Sequence, residues 1–130
     1  ICSGCYVASD VADNYERDEV GRILGYRLAA KNAAIGGEVI SIASPYSVSG
    51  LKIRYNVGLN RICYAADEVD AIAPAAGQDA KIIMRYSENT LPAAITHVRG
   101  NSKASVLAFP IEAVTNPKSR ADLFRALLSK

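Results

Sequence analysis

The sequence predicts an α/β domain: a three-layer, flavodoxin-like sandwich on a mixed sheet whose C-terminal part is an antiparallel meander. Three observations carry this prediction. A helical apolar period early in the chain leads through Gly36-Gly37 into a short apolar run, three strand-like runs follow one another between residues 80 and 109, and a last helix carries clear start signals. With 130 residues, 50% of them hydrophobic and 22% charged, the chain can build one core, so residues 1–130 are read as a single domain.

The opening Ile1-Cys2-Ser3-Gly4-Cys5-Tyr6 reads as the end of a buried strand entering a loop. A strand that begins half finished predicts a domain incomplete at its N-terminus. That strand is then expected in the middle of the sheet, covered by an upstream segment of the same protein or by a homodimer partner, because unpaired backbone groups and an apolar face are costly in water. Asp13 stands three positions ahead of Glu16, and Val20, Ile23, Leu24 and Leu28 recur at helical spacing, which predicts a helix over 14–35. Gly21 and Gly25 share one face and would let that helix approach a sheet, and Gly36-Gly37 would end it.

The run at 38–43, closed by Ser44-Pro45, fits a strand covered on both faces and completes a βαβ unit. Residues 51–56 alternate apolar and polar as an edge strand does. Asp67, Glu68, Asp70, Pro74 and Gly77 interrupt any period over 60–78, read as a loop with at most one short strand near Arg61 to Tyr64. The meander then runs over 80–86, 93–98 and 103–109, turning at Glu88-Asn89 and Gly100-Asn101. Because they lack polar alternation, 38–43 and 103–109 are expected as interior, mostly parallel strands. Pro110 stops the last strand, Asn116 caps and Pro117 opens a helix over 117–128, and Leu123, Phe124, Leu127 and Leu128 form its buried stripe.

A net charge of +2, spread along the chain, gives no basic block for nucleic acid. No apolar run approaches the roughly 20 residues needed to span a bilayer. Arg17, Arg22 and Arg27, and likewise Lys118, Arg120 and Arg125, are read as solvated helix faces. Tyr55, Tyr64 and Tyr86 fall where strand packing needs a large amphipathic side chain.

Two segments, Ser3-Gly4-Cys5-Tyr6-Val7-Ala8-Ser9-Asp10 and Phe109-Pro110-Ile111-Glu112-Ala113-Val114, resemble the end of a flavodoxin-like, or class I glutamine-amidotransferase-like, domain. That domain occurs in secreted bacterial proteins labelled xanthan lyase or golvesin-type. Ile111 stands where the family has a second Phe, and Cys5 where Ser is more usual. The resemblance implies a secreted or periplasmic protein. It points to an accessory or non-catalytic domain of a glycan-processing or cell-surface protein, with carbohydrate as a candidate ligand. The alternative it leaves is a hydrolase or amidotransferase-type enzyme with part of its active site upstream. A third reading, from the residues, is self-association by edge pairing over 51–64.

Candidate chemistry centres on the first loop. Cys2 and Cys5 form a Cys-x-x-Cys about eight residues from the expected helix, too far for the helix dipole to lower a thiol pKa. Cys63 and His97 add no second close-spaced pair, so no metal and no cofactor is implied. Amidotransferases carry their nucleophile on a Gly-x-Cys-x-Gly elbow, whereas Gly4-Cys5-Tyr6-Val7 lacks the second glycine. His97 is expected at the opposite edge of the sheet. Open α/β sheets bind ligands beyond the carboxyl ends of their strands. Ser3, Tyr6 and Asp10, Ser44, and Glu112 are therefore the candidate ligand-binding residues, with Asp10 and Glu112 facing one crevice for acid-base work or a cation. The competing assignment makes Asp10 or Asp13 a helix cap and Glu112 an acceptor of backbone hydrogen bonds.

Overall fold

The structure, a computed structural model, describes residues 1–12, 14, 16–46, 50–58 and 64–129. The chain forms β1 (Cys2–Ser3), α1 (Ser9–Ala12), α2 (Arg17–Leu24), β2 (Tyr26–Ala34), β3 (Glu38–Ser41) and β4 (Lys52–Arg54). It continues through β5 (Val69–Pro74), β6 (Ala80–Tyr86), β7 (Pro92–Arg99), β8 (Ser102–Leu107), a 3-10 turn at Ile111–Ala113 and α3 (Pro117–Leu128). Six strands make a mixed sheet in the order β1-β8-β7-β6-β3-β4, and β2 pairs with β5 in a separate antiparallel ribbon.

The meander is as the sequence predicts, and β3 and β8 are interior strands. Their orientation is not: only β1 and β8 run parallel, and every other pair in the sheet is antiparallel. The reason lies in the segment between β1 and β3. Instead of one crossover helix over 14–35, α2 ends after eight residues at Gly25, whose φ of +84° gives the left-handed cap and whose N–H donates to the Gly21 carbonyl at 2.8 Å. The chain then extends as β2 and pairs with β5, so no βαβ unit forms. Leu28, which reads as the next helical apolar position, is instead an inward residue of a strand: Tyr26 and Leu28 both pack into one cluster, as period-2 alternation also allows. β5 itself falls in the segment read as loop. Residues 61–63, where a short strand is expected, lie outside the described residues, and Tyr64 is in neither strand nor helix. β1 stands at the end of the sheet beside β8 rather than in its middle.

Alternate residues of β8 and its continuation divide the core. Val106 and Ala108 pack with Ala8, Tyr26, Ile72 and Ile95 on the side of α1 and α2. Leu107 and Phe109 pack with Leu123 and Leu127 of α3 and with Tyr55, whose ring stacks on Phe109 at 5.7 Å and 13°. The α3 stripe is narrower than expected, with Phe124 and Leu128 exposed. Its start is as predicted: the Asn116 side chain accepts from Lys118 and Ser119 N–H at 2.9 and 3.3 Å.

Two contacts shape the sheet. The glycine pair at 36–37 serves a strand-to-strand turn rather than a helix end. Glu88 accepts from the N–H groups of Ile35 and Gly36 at 2.9 and 2.6 Å, and a Cβ on Gly37 would lie 2.8 Å from the Tyr55 carbonyl. Beyond β8, the chain reaches the outer edge of β4: Asn56 N–H donates to the Ala113 carbonyl at 2.8 Å, and Thr115 N–H to the Arg54 carbonyl at 3.2 Å. A flat sheet would set β8 and β4 four strand spacings, about 19 Å, apart. Six residues that include Pro110 and a 3-10 turn do not cover that span, so the sheet curls.

Gly25 has no room for a side chain, since a Cβ there would lie 2.5 Å from the Cβ and Cγ of His97. Gly25→Ala is expected to cost about 2–4 kcal/mol in denaturant unfolding, from the left-handed backbone and the overlap together. Pairing it with His97→Ala should cost less than the sum of the single changes by about 1 kcal/mol or more. Tyr55 predicts the opposite sign. Its hydroxyl is buried with no hydrogen-bond partner among the described residues, and burial pushes its pKa up. Tyr55→Phe keeps the stack on Phe109 and should raise stability by about 1 kcal/mol, read from the urea midpoint at constant m.

Candidate functional site at the β1 and β8 strand ends

The loop after β1 and the segment after β8 meet where their parallel strands end. Gly4 N–H donates to the Leu107 carbonyl at 3.3 Å, which carries the pairing of Ser3 with Leu107 one residue further. Cys5 then turns inward and is buried in the cluster that holds Phe109, Ile111 and Ala113. Burial pushes its thiol pKa up, and the nearby carboxylates of Asp67, Glu112 and Asp70 add to this against a hydrogen bond with Tyr64.

Asp70 fastens this loop to β5. It is buried at 1% exposure, its N–H donates to the Cys5 carbonyl at 3.1 Å, and its carboxylate accepts from Ser9 N–H at 2.8 Å, closing the first turn of α1. Its own carbonyl accepts the Tyr86 hydroxyl at 2.6 Å. α1 therefore begins at Ser9, much closer to Cys5 than expected, but its N-terminus is occupied by a carboxylate and the thiol beside it is not activated.

Around buried Cys5 stands an exposed rim. Tyr6 is 45% exposed and donates to Glu68 at 3.2 Å, a bond that, with the Glu68 charge, pushes its phenol pKa up. Tyr64 is 54% exposed rather than packed, and its phenol is pushed up by Cys5 first, then by burial and by the Glu112 and Asp67 carboxylates. Asp67, Glu68 and Glu112 are exposed. Two aromatic rings thus stand among three solvated acids.

Of the five predicted ligand residues, the structure brings Tyr6 and Glu112 to this rim, with Ser3 half-buried in β1 below it. Asp10 sits in the first turn of α1, where its charge acts on Tyr26, whose pKa burial chiefly pushes up to about 12. Glu112 acts on Cys5 and Tyr64 instead, so the two acids address different groups. Ser44 is elsewhere. β3 runs opposite to β8, so the loop after it leaves the other edge of the sheet, where the Ser44 hydroxyl accepts from Tyr46 N–H at 3.2 Å. As for helix capping, Asp13 lies outside the described residues, and the residue before α2, Glu16, makes no side-chain cap.

His97 pairs with Ala104 of β8, toward the opposite edge from Cys5 as expected, and its parity with Ile95 also sets it on the opposite face. Its Nδ1 lies 3.1 Å from the Ile23 carbonyl, an acceptor, so the ring donates there and is a buried anchor for the end of α2. The sheet lies between thiol and imidazole. Among the described residues, no three His, Cys, Asp or Glu converge as a metal site would require, and no helix is long and apolar enough to cross a membrane. Sequence reasoning missed Asp67, Glu68 and Asp70, which read only as period breakers; the exposure of Tyr64 had no signal in its local pattern.

No protein-family model matches this chain, so the xanthan lyase or golvesin label gains no support there, and no curated protein matches it. Among solved structures it is similar to exo-beta-1,4-mannosidase Op5Man5 from Opitutaceae bacterium strain TAV5, at 19% identity and a TM-score of 0.53. The match covers 85% of this chain and 18% of that enzyme, so the likeness is one of fold with a fraction of a larger protein.

The environment of Cys5 predicts an inert thiol. Iodoacetamide at pH 8 should leave Cys5 unmodified in the folded protein and label it in urea, as read by peptide mass mapping; rapid labelling without denaturant would contradict the burial described here.

Proposed function

We propose that the chain is an accessory α/β domain of a secreted or periplasmic glycan-processing protein and that it contacts carbohydrate through the rim of Tyr6, Tyr64, Asp67, Glu68 and Glu112. The observation that carries this reading is the pair of exposed tyrosine rings set among solvated carboxylates. Rings can stack on the C–H face of a sugar, and carboxylates can accept its hydroxyls. The fold likeness to part of a mannosidase supports a glycan setting in general. The segments at 3–10 and 109–114, remote in sequence, adjoin at the parallel β1 and β8 ends and so build one rim.

What favours an accessory role over a catalytic one is that, among the described residues, the thiol at the rim, Cys5, is buried and raised in pKa, while the chain's single histidine serves α2 on the other face.

Calorimetric titration of the chain with neutral manno- and gluco-oligosaccharides tests the reading. Tyr6→Ala combined with Tyr64→Ala should weaken binding at least about tenfold, equivalent to about 1.4 kcal/mol, with an unchanged melting temperature. Saccharide hydrolysis by the chain that disappears in Glu112→Gln would overturn the accessory reading.

A further inference from the structure

The segment that presents Tyr6 on one side walls a second feature on the other. Ala8, Val11 and Ala12, with α2, the start of β2 and the turn after β5, enclose a cleft of about 550 Å³. That size lies within the range of about 300–1,000 Å³ usual for small-molecule sites. Its apolar lining includes Val11, Val20, Leu28 and Ala75, and its polar lining includes Arg17, Arg22 and Arg27. These arginines are not one solvated helix face, since Arg27 belongs to β2.

Among the described residues three arginines line the cleft against one acid, Asp18. Arg22 is held by Glu19 through Nε and Nη2, and Arg17 donates to the Ala12 carbonyl at 3.3 Å with Asp18 3.9 Å from its Nε. Arg27 makes a bond of 3.5 Å to the Leu28 carbonyl next to it, at the limit of a hydrogen bond. A guanidinium has five donors in a planar fork that matches a carboxylate, so Arg27 retains the geometry for a bidentate anion.

We propose that this cleft binds a small amphipathic monocarboxylate, its carboxylate on Arg27 and Arg17 and its hydrocarbon body against Val11, Val20 and Ala75. An apolar wall alone would take a neutral hydrocarbon, and an arginine patch alone would take any anion. The two together select a ligand with one charged end. This site is independent of the carbohydrate rim and stands or falls without it.

Sodium hexanoate is the probe, with hexanol and inorganic phosphate as the arms that separate its two halves. In amide chemical-shift titrations, hexanoate should saturably move Gly21, Ala75 and Ala76, while hexanol and phosphate should each need at least about tenfold higher concentration. Arg27→Gln should weaken hexanoate about tenfold or more and leave hexanol unchanged. Ala76→Phe, at an exposed position on the cleft lining, should block hexanoate without lowering the melting temperature, and Tyr6→Ala with Tyr64→Ala should leave hexanoate binding as it is. Equal affinity for hexanol, equal displacement by phosphate, or full binding by the Arg27 variant would each overturn the proposal.

Discussion

The buried carboxyl of Asp70 is the constraint on which much of this architecture depends. A carboxylate at 1% exposure is costly unless hydrogen-bonded, and here the Ser9 N–H supplies a partner while the backbone of the same residue binds Cys5 and Tyr86. One residue thereby joins the β2–β5 ribbon, the β1–α1 loop and the end of β6 in the meander. Both faces of the segment 5–12 take their position from it: Tyr6 is held toward Glu68, and Ala8 and Val11 toward the cleft.

The parts of the fold legible in the sequence are those set by local chemistry. Turns at Glu88-Asn89 and Gly100-Asn101 and the Asn116-Pro117 helix start need only their own residues, and these elements stand where they are expected. The segments misread are those decided by partners far along the chain. Val20, Leu24 and Leu28 satisfy a helical period, yet after Gly25 the backbone hydrogen bonds are made with β5, a strand hidden because an Asp at its second position and a Pro at its end argue against one. Tertiary pairing overrode local pattern in both strands of the same ribbon.

The candidate site was legible to the same degree and for the same reason. Tyr6 and Glu112 follow parallel strands and both border Cys5, in line with the rule for open α/β sheets. Ser44 was assigned by the same rule on the premise that β3 is parallel; reversing one strand sends its loop to the other edge. Tyr64, Asp67 and Glu68 join the rim from the segment leading into β5, whose course depends on the ribbon and not on any motif.

The closure of the β4 edge has a colloidal consequence. Sheets grow into fibrils when a flat border strand offers its amide ladder to another molecule. Here the chain's own residues 113–115 dock against Arg54, Tyr55 and Asn56, and the two outward side chains of β4, Lys52 and Arg54, are both cations drawn to Glu38. A second copy approaching this border would meet spent hydrogen bonds at Arg54 and Asn56 and two like charges, which disfavours pairing at a strand whose alternating pattern invited it.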